Sequence, residues 1–167
     1  MSKRIVLLQA LASTPADLAR LARSFDDAGG DWAAGAAEWT ARDVLAHLFF
    51  VEQGYQARIT LILNETEPLL PFINPEPAEA NSRTPLLDMV EQFRAAREET
   101  ITTLKALTPA QWQKPAIHAT SGRTTLRNQV QILVEHDIEH SNQLAELLQA
   151  RRTAAKRAAG QLEGGAT

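Results

Sequence analysis

The sequence predicts an all-α protein built as a bundle of four helices. Three observations carry this. Apolar residues recur at steps of three and four along four long stretches, the spacing that lines one face of a helix. Alanine and leucine are abundant, aromatic residues make up 5% and β-branched runs are missing, which is a helix-forming composition. Thr-Pro recurs at Thr14-Pro15, Thr84-Pro85 and Thr108-Pro109, and threonine as N-cap followed by proline at the first helical position is a helix start.

The first helix begins near Lys3, with Ile5, Leu8, Leu11 and Ala12 at helical spacing. At Thr14-Pro15 it either kinks or gives way to a new helix, because proline cannot donate to the turn before it. The stripe continues through Leu18, Leu21, Ala22 and Phe25 and breaks at Gly29-Gly30. Thr40 with Asp43 three residues on forms a capping-box pattern. It opens the second helix, Ala41 to Leu63, whose inward positions are Val44, Leu48, Val51, Tyr55, Ile59 and Ile62. His47 sits beside this stripe.

Asn64 to Arg83 contains Pro68, Pro71, Pro75 and Pro77, too many prolines for a helix. A connection this long either crosses the length of the bundle, so that the next helix need not run antiparallel to the last, or forms a lid. The third helix follows Thr84-Pro85 to about Leu107, with Leu86, Val90, Phe93, Ile101 and Leu104 inward. Arg97 falls on the same line. Either its stem packs while its head reaches water, or it is an anion-binding arginine inside a pocket. Thr108-Pro109 starts a short helical turn through Trp112. Pro115 to Arg123 reads as loop, with His118 as an ordinary surface histidine. The fourth helix spans Thr124 to Arg152. Residues 1–152 therefore form one domain, and 153–167 a tail expected to fray.

With 167 residues the chain can bury a real core. It has no cysteine, which excludes disulfides, thiolate ligands and a cysteine nucleophile. A net charge of −3 offers no footprint for nucleic acid. No apolar run is read as approaching a membrane span, and Ile5 to Leu8 is too short for a secretory signal. A cytoplasmic protein is the expectation.

The chemistry concentrates in Glu135-His136-Asp137-Ile138-Glu139-His140. His136 and His140 are one helical turn apart on one face, within the stripe Leu126, Val130, Leu133, Leu144 and Leu147. Two such imidazoles suit one metal ion; the other reading is a pair of hydrogen-bonded core histidines. His47, on another helix, is the third candidate ligand, though spacing does not show that it meets them. Three neutral imidazoles with an open position describe a catalytic metal site. Glu52, Asp137 and Glu139 are candidate carboxylate partners for the second ring nitrogens; Asp137 and Glu139 read equally as solvent-facing charges on the helix, and Glu52 is the candidate pocket carboxylate. His136-x-x-Glu139-His140 also matches the motif of inverted zinc peptidases. There a downstream glutamate completes the site, and the 27 residues after His140 read as a helix end and tail.

Trp39-Thr40-Ala41-Arg42-Asp43-Val44-Leu45-Ala46-His47-Leu48 resembles the signature of the DinB-like (YfiT-like) metalloenzymes, damage-inducible bacterial four-helix proteins. The resemblance extends to Thr14-Pro15-Ala16-Asp17-Leu18 and to His136 through Leu144. It implies a long crossover between helices two and three, supplied by Asn64–Arg83, and a divalent ion, nickel or zinc, held by His47, His136 and His140. It also implies a homodimer acting on a small molecule. Some relatives in the wider superfamily are transferases or isomerases that use low-molecular-weight thiols, which a cysteine-free chain would borrow, with Arg97 holding an anionic group. Hydrolysis by metal-activated water is the other chemistry implied, and a non-catalytic, metal-stabilised stress-response or ligand-binding bundle is the alternative.

Overall fold

A computed structural model describes residues 2–25, 29–35, 38–74 and 84–164. It contains helices α1 (Lys3–Ala22), α2 (Ala41–Asn64), α3 (Leu86–Ala106) and α4 (Leu126–Gly164), with strands β1 (Pro115–His118) and β2 (Gly122–Thr125) ahead of α4. α1 packs chiefly on α3 and α4, and α2 on the same two. Going round the bundle, the order is therefore α1, α3, α2, α4.

Two apolar clusters divide the core. One joins Leu18 to Phe25, Ala41 to Leu48, Leu86 to Phe93 and Leu144 to Leu148. The other joins Leu11, Val51 to Ile62, Ile101 to Leu107 and Leu126 to Val134. The first cluster thus collects the last part of α1, the first parts of α2 and α3, and a later part of α4. It follows that α2 runs parallel to α3, and α1 parallel to α4. A parallel α2–α3 pair needs a connection that returns the length of the bundle, which is the crossover expected from the Asn64–Arg83 prolines. Pro75 and Pro77 lie outside the described residues.

The first part of the crossover is tied down. Ile117 N–H donates to the Pro68 carbonyl and Leu70 N–H to that of Ile117, both at 2.8 Å, so Leu69 lies beside β1 as an isolated bridge. Further on, Ile73 lies against α2 where Gly54 has no side chain; a methyl group there would sit 2.8 Å from Ile73 Cδ1.

Several helix boundaries differ from the sequence reading. α1 neither restarts nor stops at Pro15 but runs through it. Proline at 15 leaves the Leu11 carbonyl without its helical donor, and Arg97 Nη1 donates to that carbonyl instead at 3.3 Å. The Thr14 hydroxyl serves no cap; it donates to Asp137 Oδ2 at 3.1 Å. At α3, Pro85 itself occupies the N-cap without a side-chain bond, while the Thr84 carbonyl accepts from Arg42 Nη1. Thr108 behaves as expected: its hydroxyl accepts from Gln111 N–H at 3.3 Å, ahead of a single 3-10 turn, Gln111–Gln113.

Pro115–Arg123, read as loop, contributes to an antiparallel hairpin with His118 opposite Gly122. Its three-residue turn closes on Gly122 at φ +74°, the left-handed position such turns require. α4 consequently starts at Leu126 rather than Thr124. It also continues to Gly164, past the Arg152 end expected, because its Ala, Lys, Arg and Gln residues are strong helix formers; residues 153–160 are exposed along it.

α1 is long and apolar enough to cross a membrane by length and composition, contrary to the reading that no run approaches this. Its inward residues Leu11, Leu18, Leu21 and Ala22 are buried in the bundle. The capping box that opens α2 is present in full, Thr40 Oγ1 accepting from Asp43 N–H at 3.1 Å and Asp43 Oδ2 from Thr40 N–H at 2.9 Å. Thr40→Ala is expected to lower stability by about 1 kcal/mol, read as a shift of the urea midpoint at unchanged slope.

Candidate metal centre

Between the two apolar clusters lies a polar layer contributed by all four helices. Arg97 is its centre and is fully buried. Its Nε and Nη2 donate to Glu52 Oε2 at 3.0 and 2.7 Å. Its Nη1 and Nη2 donate to Asp137 at 2.5 and 3.1 Å. Thr100 Oγ1 donates to Glu52 Oε1. Burial alone would push the guanidinium pKa down, but Asp137 and Glu52 outweigh it, so it stands above its ordinary value.

This network revises three sequence readings. The Arg97 head neither reaches water nor waits for an anion: two carboxylates and a carbonyl consume it. Glu52 is no pocket carboxylate, since its oxygens face Arg97 and Thr100. Asp137 accepts from Arg97 and Thr14 rather than from a histidine ring.

The three histidines stand beside this layer. His47 and His136 place Nε2 atoms 3.0 Å apart, and ring nitrogens of His47, His136 and His140 all lie within 4.8 Å of one another. Ring centroids are 5.1, 4.8 and 4.4 Å apart for His47–His136, His47–His140 and His136–His140. An ion with bonds of about 2.0–2.1 Å to tetrahedral ligands holds its nitrogens roughly 3.3 Å apart. The donor set and its spacing fit a shared divalent ion. Three imidazoles without thiolate or carboxylate suit zinc, nickel and similar borderline metals.

Neighbours fix two of the rings. Trp39 stacks on His140 at 5.7 Å with planes 11° apart, and meets His47 edge-on at 5.0 Å. Gln143 Oε1 lies 2.7 Å from His140 Nδ1. A glutamine oxygen accepts only, so Nδ1 is the donor in this contact and Nε2 is the nitrogen left for a metal. Both partners follow simple spacing rules: Trp39 immediately precedes the N-cap, where a side chain folds back over the first turn, and Gln143 is at i+3 from His140. His136 Nδ1 is buried without a hydrogen-bond partner among the described residues.

Burial pushes His136 down to about 3, with the neighbouring His140, His47 and Arg97 adding to the effect, so the ring is neutral near neutral pH. An unfolded histidine titrates near 6.5. Between those values the unfolded chain binds a proton that the folded chain does not, so stability rises with pH across this window and falls on acidification. The chelator-stripped protein should lose about 1.4 kcal/mol per pH unit from this group. Urea midpoints taken from pH 7 down to 4 check this, and His136→Ala should flatten the slope.

The cluster lies in the wall of a cavity of about 460 Å³. Val51, Tyr55, Leu70, Phe72 and Ile73 give it an apolar side, while Arg58, His118, Thr120 and Glu139 bring polar groups. His118, read as a surface histidine, is half-buried in this wall, and its Nδ1 lies 3.4 Å from Thr120 N. Glu139 is exposed and lines the cavity.

A four-helix bundle with a full-length crossover, carrying one histidine on its second helix and two on its fourth, defines the class: a DinB-type helical bundle with a site able to hold a metal ion. The family model of the DinB superfamily matches residues 10–144, and the chain belongs to that superfamily. Among solved structures it is similar to YfiT from Bacillus subtilis, described as a probable metal-dependent hydrolase with an unusual four-helix bundle topology. The TM-score is 0.77 at 24% identity, over 92% of this chain and 90% of that one. It is also similar to a DinB-like protein, YjoA, from Bacillus subtilis, with a TM-score of 0.62 at 17% identity over 86% and 90%. At these identities the likeness shows the fold. No curated protein matches the sequence.

Proposed function

We propose that His47, His136 and His140 hold one divalent ion, nickel or zinc, and that the protein is a metal-dependent hydrolase of a small molecule. The observation that carries this is the convergence of three ring nitrogens, from two helices distant in sequence, on the wall of a cavity of about 460 Å³. That volume is in the range of small-molecule sites. The description of YfiT as a probable metal-dependent hydrolase supports the same reading.

An ion bound there supplies Lewis acidity and brings the pKa of a bound water towards neutrality. The chain's own residues do the rest. Gln143 and Trp39 hold His140 in one tautomer and one plane. The apolar wall binds the body of the substrate and excludes water. Glu139, the exposed carboxylate of this cavity, takes the proton of the attacking water. The Arg97 network holds α1, α2, α3 and α4 in the register that brings His47 to the other two.

Nitrophenyl esters offered to metal-loaded and chelator-stripped protein, with and without a small thiol, test this. Hydrolysis that requires the metal and ignores the thiol is expected, and Glu139→Gln should slow it by about 10²-fold or more. A rate that appears only with thiol and scales with it would replace hydrolysis by thiol transfer. Stoichiometric metal without turnover in either assay would point to a metal-stabilised, non-catalytic bundle. The proposal includes a homodimer, which light scattering checks.

A further inference from the structure

Arg58 is 5% exposed and lines the cavity. Its Nε and Nη2 donate to the Pro71 carbonyl at 3.1 and 2.7 Å, and its Nη1 to Gln129 Oε1 at 3.3 Å. Its Cζ lies 5.3 Å from the centre of the Tyr55 ring. All of these partners are neutral, and no carboxylate of the described residues pairs with it. Burial holds the Tyr55 phenol above its ordinary pKa despite the pull of Arg58, so tyrosinate does not balance the charge either. A cation this buried ordinarily has a counter-charge. Arg97, at the same depth, has two.

A guanidinium has five N–H groups. Three meet Pro71 and Gln129, and the Tyr55 side chain hydrogen-bonds the group as well. These partners supply hydrogen bonds but no negative charge; a carboxylate supplies that charge and accepts from the remaining N–H, while Val51, Leu70 and Ile73 give the cavity its apolar side. Arg58 follows His47 on α2 by eleven residues. At about 100° per residue this returns to within roughly 20° of the same face, about 16 Å further along the axis. Helical side chains lean towards the N-terminus, which brings the guanidinium back towards the histidines.

We propose that Arg58 is the anion-binding end of this cavity, and that the ligand is a small carboxylate whose apolar body lies along the wall between Arg58 and the histidines. This deepens the reading of the cavity as a substrate site and rests on it. Arg58 is a specificity-determining residue for the ligand's far end, and the metal-binding histidines do not depend on it.

The test is calorimetric titration of metal-loaded protein with phenylbutyrate and with its neutral counterpart phenylbutanol. The carboxylate should bind about tenfold tighter or more, the size of charge-assisted hydrogen bonds. Arg58→Met should remove that preference while metal content stays at the wild-type value, and Arg58→Lys should keep part of it. Equal affinity of the wild type for acid and alcohol overturns the proposal without needing any variant. A preference that survives Arg58→Met but vanishes on chelation also overturns it, because the anion then sits on the ion. Loss of metal binding by wild-type protein would instead sink the metal reading, and the acid–alcohol comparison on that protein still decides the role of Arg58.

Discussion

Replacing Arg97 by methionine should destabilise the protein by about 3–5 kcal/mol, the cost of leaving a buried charge without its partner. Glu52 and Asp137 are both buried and face this one guanidinium. Without it, two carboxylates remain in the core with, among the described residues, the Thr100 and Thr14 hydroxyls as their side-chain donors. A domain of this size holds about 5–15 kcal/mol in total, so the variant stands near the edge of folding. Arg97→Lys should recover little, since an ammonium cannot present a planar fork to two carboxylates and the Leu11 carbonyl together. Urea denaturation of both variants, beside Thr100→Ala at about 1 kcal/mol, measures this. An Arg97→Met loss below that of Thr100→Ala would show that the network does not hold the four helices together.

Removing His136 should act very unequally on two states of the protein. With metal at about a thousand times its dissociation constant, binding adds roughly 4 kcal/mol of stability. His136→Ala should abolish that increment and the co-purifying metal. The metal-free form should change far less near neutral pH, because the lost ring carries an unpartnered buried nitrogen. Elemental analysis of the purified variant and melting curves with and without chelator report both quantities. A melting temperature that responds equally to chelator in wild type and variant would place the ion elsewhere.

What could be read in advance was local. His136 and His140 needed only the pitch of one helix, and the Thr40–Asp43 cap only three residues. The second-helix stripe Val44 to Ile62 was visible because a helix repeats its environment every few positions. Four-residue strands carry too little pattern for the hairpin to be legible: Ile117, Thr124, Thr125 and the turn glycine Gly122 are its signals. Glu52, Arg97 and Asp137 stand out singly in the sequence, but their pairing does not. Their partners lie 40 to 123 residues away along the chain, and no periodicity reports which charges meet. Arg58 lies on the same face as His47 at eleven-residue spacing, but spacing alone does not show that its head is buried.

The sequence by itself determined the four helices, the proline-rich crossover and the candidacy of three histidines. Each depends on dihedral preferences and spacing within one segment. Only the tertiary structure decided that His47 meets His136 and His140, that Arg97 is consumed by two carboxylates, and that Arg58 pairs with none among the described residues. Those outcomes depend on which helices pack side by side. Inside a core, where water no longer screens charge, such neighbours decide the chemistry of a polar group.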